Sequence, residues 1–225
     1  MLRKLVIDIE TIATQREDVI DYIATTIKPP KTMSVAATIE KWHRESKQDA
    51  IDDAIRSTGL DGAFGQVVVI GMALDDDEPE TFYGLNEFAL LAEFNLALND
   101  IPHTEWLSTQ VIGFNHQAFD LRFLLQRHMV NRIVPHTVIL RAAKAKAWED
   151  AITFDCMTQF AGFGNRISLD KTCLALGIPS PKGDMDGSMV NQAVLDGRLN
   201  EVAAYCKRDV AATREVYRRL TFAEV

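Results

Sequence analysis

Cysteine is scarce in this 225-residue chain, and its three copies form no recognisable pairing pattern. Cys156, Cys173 and Cys206 are widely spaced and include no Cys-x-x-Cys pair, which argues against a disulfide framework and a zinc knuckle. The sequence also lacks the roughly 18 consecutive apolar residues of a membrane span and the apolar segment of a secretory signal. We therefore expect a cytoplasmic protein with no membrane partner.

Positive charge is also in deficit, since 24 Lys and Arg residues face 32 Asp and Glu residues, for a net charge of −8. This balance argues against a protein that coats nucleic acid by bulk electrostatics. It still allows an enzyme that holds a few phosphates through metal ions and a local basic patch. Where several of these acids lie close together, we expect them to bind a metal ion.

The order of apolar segments predicts an α/β fold. Strand-like runs occupy residues 2–11, 66–74, 80–83, 109–115 and 152–155. Helical periodicity occurs at residues 17–27, 33–55, 86–99, 119–128, 168–176, 188–195 and 200–220. Strands followed by alternating helices and strands predict a mixed sheet flanked by helices, in one domain over residues 1–225.

Residues 12–62 form a predicted helical excursion between the first two strands, interrupted by Pro29 and Pro30. The excursion contains a basic and aromatic cluster, made of Lys41, Trp42, His43, Arg44 and Lys47. Such a cluster could stack a base and bind phosphate. Alternatively, it is the charged face of a surface helix with Trp42 turned inward.

The first predicted strand carries two acids on one face. Because side chains alternate along a strand, Asp8 and Glu10 point the same way. Two carboxylates on an apolar strand repel each other and lose hydration, unless a cation lies between them. This pattern indicates a divalent-metal site, and the alternative is a strand end whose acids reach solvent. A second Asp-x-Glu, at Asp76 and Glu78, lies in a predicted turn and needs no ligand.

The segment from Gly113 to Asp120 joins a predicted strand to a predicted helix. Asp120 lies near the first turn of that helix, where a carboxylate also stabilises the helix dipole without any further function. That explanation does not account for Asn115 at the carboxyl end of the strand, where α/β sheets usually bind ligands.

Tyr205 and Asp209 are four residues apart in the last predicted helix and therefore lie on one face. At about 100° per residue, they fall beside the apolar stripe that contains Cys206 and Val210. We expect them at the margin of the sheet, although in isolation the pair also fits a surface Tyr beside a surface Asp.

Together these three motifs resemble the DEDD family of 3′–5′ exonucleases. The family combines Asp-x-Glu, an Asn-x(3)-Phe-Asp segment, and either Tyr-x(3)-Asp or His-x(4)-Asp. The matching residues here are Asp8, Glu10, Asn115, Phe119, Asp120, Tyr205 and Asp209. Ala204 occupies the position of the alternative histidine, so the chain is similar to the tyrosine (DEDDy) branch.

Within that branch, the chain looks most like the stand-alone exonucleases related to the proofreading domain of family B DNA polymerases. The segment Lys182–Ser188 is similar to one found in that group. From the residues themselves, this segment is interpreted as a turn in which Asp186 or Ser188 caps the following helix.

The resemblance implies an RNase H-like sheet and a mechanism with two Mg²⁺ or Mn²⁺ ions. In that scheme Asp8 binds both ions, Glu10 and Asp209 complete the first site, and Asp120 holds the second. Tyr205 orients the attacking water, because a phenol with a pKa of about 10 is a poor base at neutral pH. The implied substrate contacts are Thr11, Asn115 and Phe119.

The implied substrate is a single-stranded nucleic acid with a free 3′ end, and the relation to a polymerase favours DNA. An RNA-trimming exonuclease of the RNase D kind shares every motif. A non-catalytic nucleic-acid-binding protein on the same fold is the alternative from another class, and the retention of all four acids and the tyrosine argues against it. The sequence identifies no polymerase or repair partner.

Overall fold

The computed structural model describes residues 3–223, and these residues contain a five-stranded mixed sheet. The strands are β1 (Lys4–Ile12), β2 (Gln66–Leu74), β3 (Glu80–Tyr83), β4 (Gln110–Gly113) and β5 (Thr153–Asp155), and their order in the sheet is β3-β2-β1-β4-β5. β1 pairs antiparallel with β2 and parallel with β4. This arrangement confirms the predicted mixed sheet. Leu2, with which the predicted first strand begins, lies outside the described residues.

Helices cover both faces of the sheet. They are α1 (Glu17–Thr26), α2 (Ala36–Glu45), α3 (Lys47–Ser57), α4 (Glu87–Ala97), α5 (Asp120–Val130), α6 (Thr137–Lys144), α7 (Cys156–Ala161), α8 (Leu169–Leu176), α9 (Val190–Leu195) and α10 (Leu199–Leu220). Among residues 3–223, none of these helices is both long and apolar enough to cross a membrane.

One predicted helix is wrong in its extent. The helix predicted over residues 33–55 is two helices, because Ser46 leaves the helical conformation with φ −128° and ψ −11°. In α4 the buried face contains Leu90 and Leu91, whereas Phe88 is 57% exposed.

The excursion between β1 and β2 consists of α1, α2 and α3. Trp42 is buried, whereas Lys41 and Arg44 are exposed and both pair with Glu45. The inward-turned tryptophan on a charged helix is therefore the correct interpretation of this cluster. The chain returns to the sheet at residues 58–60, where the carbonyl oxygen of Gly59 accepts a hydrogen bond from Thr11 at 2.6 Å.

The side chains of β1 alternate between two cores, as predicted. Leu5, Ile7 and Ile9 pack with α4 and α5 on one side of the sheet. Val6 packs on the opposite side with Val210 of α10. Asp8 and Glu10 lie on the same face of β1 as Val6, so both acids point toward α10.

At Gly71, β2 lies very close to α10. A Cβ atom at this position would lie 2.8 Å from the sulfur of Cys206 and 2.8 Å from a methyl group of Val210. Real Cβ contacts are not this short, so α10 can pack here only against glycine.

Gly71→Ala should therefore lower the free energy of unfolding by roughly 1–3 kcal/mol, the usual cost of overpacking a core. Urea denaturation measures the effect. Gly84→Ala is the matched control, because a Cβ at Gly84 has no atom within 4 Å. Equal stability of the two variants would contradict this account of the α10 contact.

Candidate active site

The structure brings the acids of β1 together with the third predicted motif. Asp8 and Glu10 face α10, where Tyr205 and Asp209 are half-buried at the margin of the apolar stripe. Buried carboxylates raise one another's pKa, and Asp209 raises the pKa of both Asp8 and Glu10. The four side chains therefore belong to one cluster, although they come from opposite ends of the chain.

Asp120 joins this cluster as the first residue of α5. Its Oδ1 atom accepts a hydrogen bond from the backbone N–H of Ile9 at 3.0 Å, between Asp8 and Glu10 in the sequence. Asp120 in turn raises the pKa of both of those acids. The start of α5 is thus tied directly to the strand that carries the first two carboxylates.

Burial is the dominant electrostatic effect on all four acids. It raises the pKa of Asp8 and Glu10 well above the usual range, and the neighbouring carboxylates add to the effect. Burial also raises the pKa of Asp120 to about 6, against the opposing influence of His116. The pKa of Asp209 is likewise raised to about 6 by burial, against Tyr205 and Arg208.

Two oxygens of the cluster fit a cation. Oδ2 of Asp8 and Oδ1 of Asp209 are buried, and neither has a hydrogen-bond partner among the described residues. An unpaired buried carboxylate oxygen is costly unless a cation neutralises it. Carboxylate oxygens are the ligands that Mg²⁺ and Mn²⁺ prefer, so this donor set suits those ions.

Tyr205 keeps its proton in this environment. Burial raises the pKa of its hydroxyl, and the adjacent Asp209 carboxylate raises it further. The guanidinium of Arg208 lies 6.0 Å from the centre of the Tyr205 ring, and its Nε donates to the carbonyl oxygen of Pro181 at 3.1 Å. Tyr205 is therefore held as a neutral hydrogen-bond donor at the edge of the acids.

Cys206 is a neighbour of the acids that the sequence analysis assigned only to the apolar stripe. Ligand atoms of Cys206, Asp8 and Glu10 all lie within 4.8 Å of one another. The thiol donates to the backbone oxygen of Asp8 at 3.6 Å, and burial raises the thiol pKa well above its usual value. It therefore contacts the cluster as a neutral thiol.

Asp155 is a second residue that the sequence analysis missed. Its carboxylate accepts hydrogen bonds from the backbone N–H groups of Asn115 and Gln117, at 3.1 and 3.2 Å, and caps α7. Burial alone would raise the pKa of Asp155, but His116 and the backbone amides of Thr158 and Gln117 together lower it. The ionised side chain thus fixes the loop that leads from β4 to Asp120. Its position at the end of a predicted strand, where an Asp can cap a following helix, was the available sequence signal.

The three predicted substrate contacts occupy two different places. Thr11 and Phe119 line a cavity of about 350 Å³ together with Glu10. Phe119 is half-buried and also packs on Phe123, with ring centres 5.5 Å apart. Asn115 does not line this cavity and has a left-handed backbone with φ 61°.

The remaining acidic motifs have structural roles. Asp186 caps the turn after the segment Lys182–Ser188 by accepting from the N–H of Ser188 at 2.9 Å, as one of the two predicted caps. Asp76, from the second Asp-x-Glu, is an exposed turn residue that pairs with Arg218 at 2.7 Å. Neither acid belongs to the cluster around Asp8.

Comparison with known proteins gives a related family and a related fold. Residues 61–224 match the family model described as "Predicted 3'-5' exonuclease related to the exonuclease domain of PolB". The chain is also similar to the family B DNA polymerase from the hyperthermophilic archaeon Pyrobaculum calidifontis, with a TM-score of 0.62 and 15% sequence identity. That likeness covers 98% of this chain and 25% of the polymerase chain, and it identifies the sheet as RNase H-like. No curated protein matches the chain.

The raised carboxylate pKa values predict how the stability of the metal-free protein depends on pH. The pKa of Asp209 is about 6 in the folded protein, above the value of about 4 expected for an unfolded chain. Between these values the folded state holds the proton more tightly, so its stability falls as the pH rises. Relative to Asp209→Asn, wild type should lose roughly 2 kcal/mol between about pH 4 and pH 7.

Urea denaturation in EDTA measures this difference. Adding Mg²⁺ at neutral pH should stabilise wild type more than Asp209→Asn, because the ion neutralises one more ionised carboxylate in wild type. Asp52→Asn, which removes an exposed acid of α3, is the control. A stability difference that does not change with pH would contradict the assigned burial of Asp209.

Proposed function

Because the chain belongs to the family of predicted 3′–5′ exonucleases related to the exonuclease domain of PolB, we propose that it hydrolyses the phosphodiester bond at the 3′ end of a single-stranded nucleic acid, releasing nucleoside monophosphates. The observation that carries this proposal is the convergence of four carboxylates from β1, α5 and α10, two of them with buried, unpaired oxygens. A structural role would leave such oxygens costly and unused.

The cofactor in this proposal is a pair of Mg²⁺ or Mn²⁺ ions. When bound, two such ions stabilise negative charge on both the attacking and the leaving oxygen. Asp8 would be shared by the two ions, Glu10 and Asp209 would complete one site, and Asp120 would serve the other. The hydrogen bond from Ile9 occupies only one oxygen of Asp120, which leaves its second oxygen for this role.

The remaining residues of the site bind the substrate and orient the attacking water. Tyr205, a neutral donor beside Asp209, orients the attacking water and does not remove its proton. Thr11 and Phe119 contact the terminal nucleotide in the cavity beside Glu10, which supports stacking of the terminal base on Phe119. Asn115, which lies outside this cavity, contacts the nucleic-acid backbone.

DNA is the proposed polymer, because the family is related to a domain of a DNA polymerase. An RNA-trimming enzyme would use the same acids, and a binding protein without activity would retain them for no evident purpose. We further propose that residues 1–225 act as one exonuclease domain, with residues 12–62 as an insertion. Three free, buried cysteines support a reducing cytoplasm as its compartment.

Asp8→Asn should lower the rate of hydrolysis by about a thousandfold or more, because the shared carboxylate is lost from both ion sites. The assay follows 5′-labelled single-stranded DNA, duplex DNA and RNA with Mg²⁺, Mn²⁺ or EDTA. Asp76→Asn is the matched control from the exposed Asp-x-Glu and should retain full activity. An Asp8→Asn protein as fast as wild type would refute the site, and activity in EDTA would refute the metal mechanism.

Tyr205→Phe should lower the rate of hydrolysis about 10- to 100-fold while Mg²⁺ still stabilises the protein, because only an orienting donor is removed. Tyr83→Phe, at an exposed position of β3, is the control. Thermal unfolding with and without Mg²⁺ gives the second measurement. Loss of both activity and the Mg²⁺ effect would mean that Tyr205 supports the fold of the site.

A further inference from the structure

A groove next to the acids exposes an aromatic side chain that the proposed chemistry does not use. The groove is a cavity of about 420 Å³ whose lining includes Asn115, Gln117, Ala147, Phe163 and Arg166, and we name it the Phe163 groove. Phe163 is 86% exposed, although an aromatic ring in water forfeits the free energy of burial. The lining of the groove combines the Phe163 ring with amide side chains and the guanidinium of Arg166.

The backbone presents Phe163 to solvent. Gly162 and Gly164 flank it with φ angles of 84° and 82°, in the region where glycine is favoured over other residues. These two glycines form a tight loop between α7 and α8 that holds the ring on the surface. An exposed ring in such a loop suits contact with another molecule.

A second exposed aromatic residue, Trp148, and two basic residues, Lys146 and Arg166, lie on the same surface. Trp148 follows the groove residue Ala147 in the chain and is 75% exposed. The ammonium group of Lys146 lies 5.3 Å from the centre of the Trp148 ring. Arg166, in the groove lining, and Lys146 make no ion pair within residues 3–223, which leaves both charges for a ligand of opposite sign.

The groove connects to the acids through a single loop. Asn115 and Gln117 line the groove, and three residues after Gln117 the same loop ends at Asp120. Asp155 also lines the groove, fixes this loop by hydrogen bonds, and acts electrostatically on Asp120. The groove therefore lies beside the loop that carries Asp120, where we expect the preceding nucleotides of a polymer whose terminal linkage lies at the acids.

We propose that the Phe163 groove binds the single strand upstream of the nucleotide being removed, with Phe163 and Trp148 stacking bases and Lys146 and Arg166 binding phosphates. This inference rests on the proposed function and adds a binding surface to it. Free cations and amide side chains next to exposed rings match the chemistry of single-stranded nucleic acid, where stacking tolerates any base. They match an apolar protein partner less well, since charge is depleted at the core of such interfaces.

Binding of 5′-fluorescein oligothymidylate tests the groove without any hydrolysis. The intact 225-residue chain in EDTA is titrated with a dinucleotide and with a strand of about eight nucleotides, a length typical of single-strand sites. Phe163→Ala and Trp148→Ala should each weaken the longer complex about tenfold and leave the dinucleotide complex unchanged. Phe88→Ala, which removes an exposed ring from α4, is the matched control and should change neither.

Arg166→Gln gives an independent variant in case a ring substitution disturbs folding. It should reduce the slope of log affinity against log salt concentration by about 0.7, the value for one phosphate contact on a single strand. An unchanged slope together with unchanged affinities of both ring variants would overturn the proposal. So would a wild-type protein that binds the longer strand no more tightly than the dinucleotide.

Two further measurements separate the alternatives. If Phe163→Ala lowers the mass seen by sedimentation of the protein alone, the groove is a contact between copies of the chain and the proposal is wrong. Hydrolysis by wild type in Mg²⁺ tests the enzyme separately from the groove. If wild type hydrolyses the strand and the variants bind it as tightly as wild type does, only the groove proposal is refuted. If wild type binds the longer strand more tightly than the dinucleotide but hydrolyses neither, only the catalytic function is refuted.

Discussion

The cost of ionising clustered carboxylates away from water is the constraint on which the rest of this structure depends. Burial raises the pKa of Asp8, Glu10, Asp120 and Asp209, and repulsion from the neighbouring carboxylates raises the pKa of Asp8 and Glu10 further. A fold can keep such a cluster only if rigid elements hold the acids together and a cation relieves the repulsion. The sheet and α10 provide the first condition, and the oxygen-rich donor set suits the second.

The close packing of α10 follows from this constraint. Tyr205 and Asp209 reach the acids of β1 only because the helix lies almost directly on β2, and Gly71 makes that approach possible. The backbone N–H of Ile9 in β1 donates a hydrogen bond to the carboxylate of Asp120. A backbone group of the central strand therefore fixes the position of a side chain from α5. The site is therefore positioned mainly by regular elements and less by loops, which favours precise geometry.

The sequence predicts the parts of the site whose signal is local. Charged residues inside an apolar strand can be recognised from the sequence alone, and this pattern identifies Asp8 and Glu10. Helical spacing places Tyr205 and Asp209 on one face of their helix. Asp155 acts on amides 40 residues earlier in the chain, and such a partnership leaves no local pattern. Likewise, a thiol facing a core and a thiol facing carboxylates look identical in sequence, which is why the position of Cys206 beside the acids was not predicted. The break at Ser46 depends on a single residue that helix periodicity does not detect.

The sulfur of Cys206 and the carbonyl of Asp8 meet across 198 residues of sequence. Because β1 precedes α10 in the chain, the acids of the two elements cannot face each other in a nascent chain until α10 has emerged. A partly synthesised polypeptide of this kind therefore carries no assembled cluster. The order of the elements along the chain thus makes assembly of the acid cluster a late event, which waits for the synthesis of α10.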